Sequence, residues 1–133
     1  MSMINPSADV ANAVEPTVVP ADMEYQIRII ACDGIRTNSA GAPYILPRFE
    51  IVGEPTSKDF GRYIGLPEDD MDPKKKARTA FALKTFMEAA GLDPAAGFDP
   101  EDLPGTTMWA ILGVEYSPEY GEQNFVRKFI TAK

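Results

Sequence analysis

The densest group of chemically capable side chains is Glu68, Asp69, Asp70 and Asp72, four carboxylates within five residues. Oxygen ligands in that number suit a hard cation, but the D-x-D-x-D-G spacing and later bidentate Glu of a calcium loop are missing. Their place directly before Pro73 reads instead as a solvated turn in which Asp72 caps a helix. A second set, Glu50, Glu54, Lys58 and Asp59, has the residue types of a metal-dependent nuclease but straddles a strand end and a Pro turn. The chain has no histidine and one cysteine, Cys32. That removes the Ser/His/Asp and Cys/His nucleophile pairs, most zinc sites and every intramolecular disulfide. None of the ten glycines builds a G-x-x-x-x-G-K-[ST] or G-x-G-x-x-G loop to cradle phosphate. No catalytic residue, metal or cofactor is expected.

A different chemistry lies in aromatic and cationic residues. Tyr44, Tyr63, Trp109 and Phe125 alternate with apolar neighbours, and Arg28, Arg48, Arg62 and Arg127 fall among them. Unpaired bases stack on aromatic faces at roughly 1–3 kcal/mol each, while cations follow the phosphates. Packing beneath a helix or the N-terminal segment accounts equally well for each aromatic taken singly. Lys74, Lys75, Lys76 and Arg78 form the one basic run; in a first helical turn they oppose the macrodipole and are expected to pair with the carboxylates before them, phosphate contact being the alternative.

These side chains need strands to aim them. Tyr25, Ile27, Ile29 and Ala31 alternate with Gln26 and Arg28, which predicts a half-buried first strand. A turn-rich loop, Asp33 to Pro43, separates it from a second strand with Ile45, Phe49 and Ile51 inward and Tyr44 and Arg48 outward; Pro47 marks an edge or bulge. A third strand covers Phe60 to Leu66, with Ile64 and Leu66 opposite Tyr63. The cap Asp72 opens a helix that runs to about Ala90 and ends at Gly91, with Ala80, Leu83, Phe86, Met87 and Ala90 as its apolar stripe. Phe81 falls off the stripe and is expected under a loop, a contact surface being the other reading. Met108, Ala110, Leu112 and Val114 alternate with Trp109 in a fourth strand. A loop from Tyr116 to Gln123 leads to a last strand, Asn124 to Thr131, with Phe125 and Arg127 outward and Val126 and Ile130 inward. Phe125, Val126, Phe129 and Ile130 also fit a second register, and a bulge would exchange the outward set.

Three strands, a helix and two strands in about 110 residues is the order of an OB-fold. The fold class expected is therefore all-β with one helix: a five-stranded barrel, helix between strands three and four, spanning residues 23–133. Residues 1–22 hold three prolines and no sustained periodicity, and are expected to be a flexible N-terminal arm, with docking of Val18 and Val19 as the alternative. The net charge of −7 argues against affinity built on phosphate neutralisation alone. The first 24 residues carry Asp9, Glu15, Asp22 and Glu24 and no base, so the remainder holds 16 acids against 13 bases, or −3. No apolar run reaches the ~20 residues of a membrane span, and the start has neither Lys nor Arg nor an apolar stretch of a signal peptide; a cytoplasmic protein is expected.

The sequence resembles the small phage single-stranded DNA-binding proteins with an OB-fold. The likeness runs from about Met23 to Ile130. It rests on Glu-Tyr-Gln-Ile-Arg-Ile in the first strand, Ser-Ala-Gly-Ala-Pro-Tyr before a strand ending Phe-Glu-Ile-Val, and Gly-Arg-Tyr-Ile at strand three. It continues through a helix ending Phe-Met-Glu-Ala-Ala-Gly-Leu, Phe-Asp-Pro-Glu-Asp-Leu-Pro-Gly before strand four, and Glu-Gln-Asn-Phe-Val-Arg-Lys-Phe in the last strand. The resemblance implies sequence-tolerant coating of single strands in phage replication, recombination or repair, without catalysis, in a bacterial cytoplasm. It implies a groove of Arg28, Tyr44, Arg48, Arg62, Tyr63, Trp109, Phe125 and Arg127, flanked by Arg36 in the first loop and Tyr116 and Tyr120 in the last. Many such proteins recruit partners through an acidic tail; here the last strand leads into Phe-Ile-Thr-Ala-Lys, so tail-mediated recruitment is not carried over, while phage replication or recombination proteins stay among the partners the resemblance implies. The acidic arm is a candidate competitor for the groove. Two rival readings remain: an acidic protein-interaction module using Trp109, Phe125 and the arm, and a metal-dependent hydrolase built on residues 68–72.

Overall fold

Ile27 and Ile29, the inward positions of the first strand, are fully buried, and the barrel is built outward from them. The computed structural model describes residues 2–131; the outer limits of the arm and domain, at residues 1 and 133, lie outside them. Strand β1 (Met23–Ala31) pairs antiparallel with β4 (Arg48–Ile51) on one side and β7 (Thr107–Ser117) on the other. Strand β5 (Phe60–Gly61) extends the sheet beyond β4, and β8 (Gly121–Ile130) extends it beyond β7. The sheet order is β5-β4-β1-β7-β8, and the curl brings β5 against β8. The result is a nearly closed, five-stranded antiparallel barrel of OB type. Helix α2 (Pro73–Ala89) lies between the third and fourth barrel strands in chain order.

The expected second and third strands each break in two. Pro47 has no N–H to donate and is fully buried, and its carbonyl accepts the Arg62 N–H at 3.0 Å. The halves beyond the break, β3 (Pro43–Ile45) and β6 (Ile64–Gly65), leave the barrel and join β2 (Arg36–Thr37) in a small three-stranded sheet. The turn-rich loop is thus a β2–β3 hairpin, organised by Asn38, whose Oδ1 accepts the N–H groups of Ala40 and Ala42 at 2.9 and 3.0 Å. The last hairpin is also tighter than its sequence suggests. Its ladder runs on to Ser117 opposite Gly121, because Gly121 takes the φ of +74° that a three-residue turn requires.

The core holds Phe49 between Phe60 at 5.6 Å and Phe129 at 6.4 Å, with Phe86 edge-on to Phe129 at 5.6 Å. Burial of each such ring contributes about 1.5–3 kcal/mol. Phe86 and Met87 carry the helix onto this core, with Leu83, Ala89 and Ala90 partly covered. Ala80, expected on the stripe, is exposed, and the buried side chains of α2, Phe86 and Met87, lie further along the helix. Asp72 accepts the Lys75 N–H at 3.4 Å at the helix start. At its end, the Gly91 and Leu92 N–H groups bond back to Glu88 and Met87.

The N-terminal segment divides at Thr17. Residues 2–17 are exposed and include only the four-residue helix α1 (Ala8–Ala11), which buries nothing. Thr17 bridges in parallel to Ser57, Val19 is buried against the barrel, and the Asp22 N–H reaches the Leu112 carbonyl at 2.7 Å. Val19 is thus docked on the body. Among the described residues, no helix is long and apolar enough to cross a membrane.

Candidate nucleic-acid interface

The small sheet presents the first cluster. Arg36 stands opposite Tyr44 in the β2–β3 register, and the Tyr44 ring stacks on Tyr63 with centroids 4.5 Å apart and planes 24° from parallel. Asn38 Nδ2 donates to the Tyr63 hydroxyl at 3.2 Å and fixes the ring. Since each tyrosine covers one face of the other, the face open to a ligand belongs to Tyr63, which is 50% exposed. Arg36 bonds Asp33, and that carboxylate holds its guanidinium even more firmly protonated than usual. Arg36 and Arg48 line one recess with Leu46 and Cys32.

The second cluster lies on β8, where the ladder slips. Ile111 pairs with Lys128 but Leu112 pairs with Val126, so Arg127 is the extra residue of a bulge. Arg127 and Lys128 both face outward, while Phe129 takes the inward place expected for Ile130. Phe125 is outward and lies over Gly113, its register partner. A Cβ at Gly113 would fall 2.6 Å from the ring, so only glycine admits this packing. The Arg127 guanidinium sits 5.2 Å from the Phe125 centroid and bonds Asp22 at 2.9 Å. Trp109, 36% exposed, is on the same face of β7 as Gly113, four residues and roughly 13 Å away.

A cleft of about 230 Å³ joins the two clusters. Residues Arg62, Tyr63, Ile64 and Gly65 form one wall, Val126 to Phe129 a second, and Phe81, Ala82 and Thr85 of α2 a third. Three cations and two exposed aromatics line it, without a carboxylate. The Arg62 Nε is buried without a hydrogen-bond partner among the described residues, an uncompensated donor in this wall. Among the described residues, Arg62 and Lys128 form no ion pair either.

Three of the expected groove residues stand apart. Arg28 is held by Glu50 at 2.7 Å and lines an acid-rich recess with Glu54 and Asp59. Tyr116 and Tyr120 are exposed on the last hairpin among Glu115, Glu119 and Glu122, a poor setting for phosphate. Conversely, Phe81 and Lys128 belong to the cleft and were not expected in the groove. Phe81, 69% exposed, lies under no loop. Its position off the apolar stripe was the available signal, whereas Lys128 depends on a bulge that periodicity leaves open.

The two carboxylate sets line separate open recesses, Glu50, Glu54 and Asp59 in one and Glu68, Asp70 and Asp72 in the other. Lys76 bonds Asp69 at 2.8 Å, and this contact holds the Asp69 carboxyl below its usual range. Asp72 is the helix cap. Lys58 turns from Glu50 to the carbonyls of Tyr120 and Glu122 at 3.2 and 2.8 Å. Among the described residues, no group of three His, Cys, Asp or Glu side chains is arranged to hold a metal. No protein-family model matches this sequence, and no curated protein shows significant similarity to it.

Proposed function

We propose that the protein binds single-stranded DNA with little sequence preference, by stacking and phosphate contact. The carrying observation is the cleft: in a chain of net charge −7, three cations and two exposed aromatics share one opening that no carboxylate lines. Single strands require that pairing of π faces with cations, and duplexes hide their bases from it. The OB-type barrel agrees with this reading, and the sequence resemblance points to phage replication, recombination or repair as the setting.

The test is titration of the fluorescence of Trp109, the single tryptophan, with oligo-dT and then duplex DNA, alongside a mobility shift. Single strands alone should bind. With three cleft cations engaged, log K against log salt should fall with a slope of about −2, from roughly −0.7 per neutralised phosphate. Absence of binding at low salt in both assays overturns the proposal. It would favour a protein-interaction module, for which the exposed Met3, Ile4, Val10 and Val14 of the arm are the supporting observation.

A further inference from the structure

Helix α2 brings to the cleft a group that no strand supplies. Five residues before the fully buried Phe86, the Phe81 ring projects from the barrel, and no part of the described chain covers it. It lines the cleft with Ala82 and Thr85, across from the wall of Arg62 and Tyr63 and the wall of Arg127 and Lys128. The Thr85 hydroxyl is already committed to the Phe81 carbonyl at 2.9 Å, so the helix offers this cleft an aromatic face rather than a hydrogen-bonding edge. The opening lies between β8 and residues 62–65, which leave the barrel after β5.

We propose that Phe81 forms a nucleotide subsite, in which one base of a single strand leaves the path over the strands, enters the cleft and stacks on the helix. The flanking phosphates then lie against Lys128 and Arg62. This inference rests on the single-strand reading above. Two properties of the lining select the ligand: Arg62 and Lys128, which no ion pair among the described residues holds, ask for an anion, and exposed rings ask for a flat apolar group. An unpaired nucleotide carries both on adjacent atoms. A subsite without hydrogen-bonding edges accepts every base, in keeping with sequence tolerance.

The experiment compares the full-length wild-type chain with Phe81→Ala and Phe81→Trp, using fluorescence anisotropy of a labelled oligo-dT. Phe81→Ala should weaken binding by about 5- to 150-fold, the measured range for one stacked base, with the salt slope and melting temperature unchanged. Phe81→Trp should restore affinity, and in a Trp109→Phe background its emission should be quenched by the oligonucleotide. Wild-type binding with an unaltered Phe81→Ala affinity overturns the subsite and leaves the single-strand reading standing. Failure of the wild type to bind overturns both. Competition by a Glu-rich peptide carrying one Phe, at an affinity matching oligo-dT, assigns the cleft to acidic peptides and overturns the nucleotide assignment.

Discussion

Asn124 grips Val19 from both sides of its backbone. The Asn124 Oδ1 accepts the Val19 N–H at 2.9 Å, while its Nδ2 donates to the carbonyls of Val19 and Gly113, each at 3.0 Å. Asn124 is the one buried polar side chain of the described core, and its three bonds tie the N-terminal segment to β8 and β7. Asn124→Ala leaves three backbone groups without their partner and should cost about 2–4 kcal/mol in a urea melt, with susceptibility to proteolysis rising first around residues 17–22.

Asp22 and Arg127 form the second tie, and this one occupies a cleft cation. Asp22→Asn should raise oligo-dT affinity about two- to threefold at low salt, since the strand no longer displaces a carboxylate. The gain should shrink as salt screens the half-exposed pair. Equal affinities at all salts would show that Arg127 takes no part in binding.

Among the basic residues, location separates two behaviours. Lys128→Gln removes a cleft cation and should make the salt slope shallower by about 0.7, whereas Arg28→Gln removes one already paired with Glu50 and should leave it unchanged. Matching slopes for both variants contradict the assignment of the cleft.

Gly113→Ala tests the outer packing of β7 on β8. The new methyl would meet the Phe125 ring at 2.6 Å and an Arg127 terminal nitrogen at 2.9 Å, so the ring must tilt away. A destabilisation of about 1–3 kcal/mol is expected, and a second change, Phe125→Leu, should recover part of it in the same melt.

Tyr25 supplies a pH dependence. Burial first, and then the Glu54 carboxylate, raises its phenol above the ordinary value of 10.0, and the hydroxyl donates to the Pro20 carbonyl at 3.2 Å. A raised folded-state pKa means that folding favours the neutral form. Its contribution is complete below the unfolded pKa of about 10 and is lost as pH rises through the folded one. Melting temperatures should therefore fall more steeply as the pH rises above about 10 in the wild type than in Tyr25→Phe.

The alternation of β1 and β7 and the cap at Asp72 were legible because burial imposes a period on each element separately. Pro47 also announced an interruption. What one strand's pattern does not encode is the partner across the break: the β2-β3-β6 sheet needs Arg36, Tyr44 and Gly65 to meet across more than twenty residues. The bulge at Arg127 is hidden for a related reason, as Phe125, Val126, Phe129 and Ile130 satisfy two registers until β7 chooses one. Of the expected residues, Arg62, Tyr63 and Arg127 line the cleft and were visible as residue types. Arg28, Tyr116 and Tyr120 stand apart from it, because an outward side chain meets whatever charge its neighbours bring.

The uneven distribution of charge has a kinetic consequence. At ~0.01 M salt the Debye length is about 30 Å, and an approaching polyanion feels the field of the whole chain, −7, before it feels the cleft. At ~0.1 M that length shrinks to about 10 Å, the distant repulsion fades and the local attraction survives. Encounter with a single strand should therefore quicken over the same range in which residence on the protein shortens. Where α2 meets β8, an approaching strand would pass three cations and no lining carboxylate.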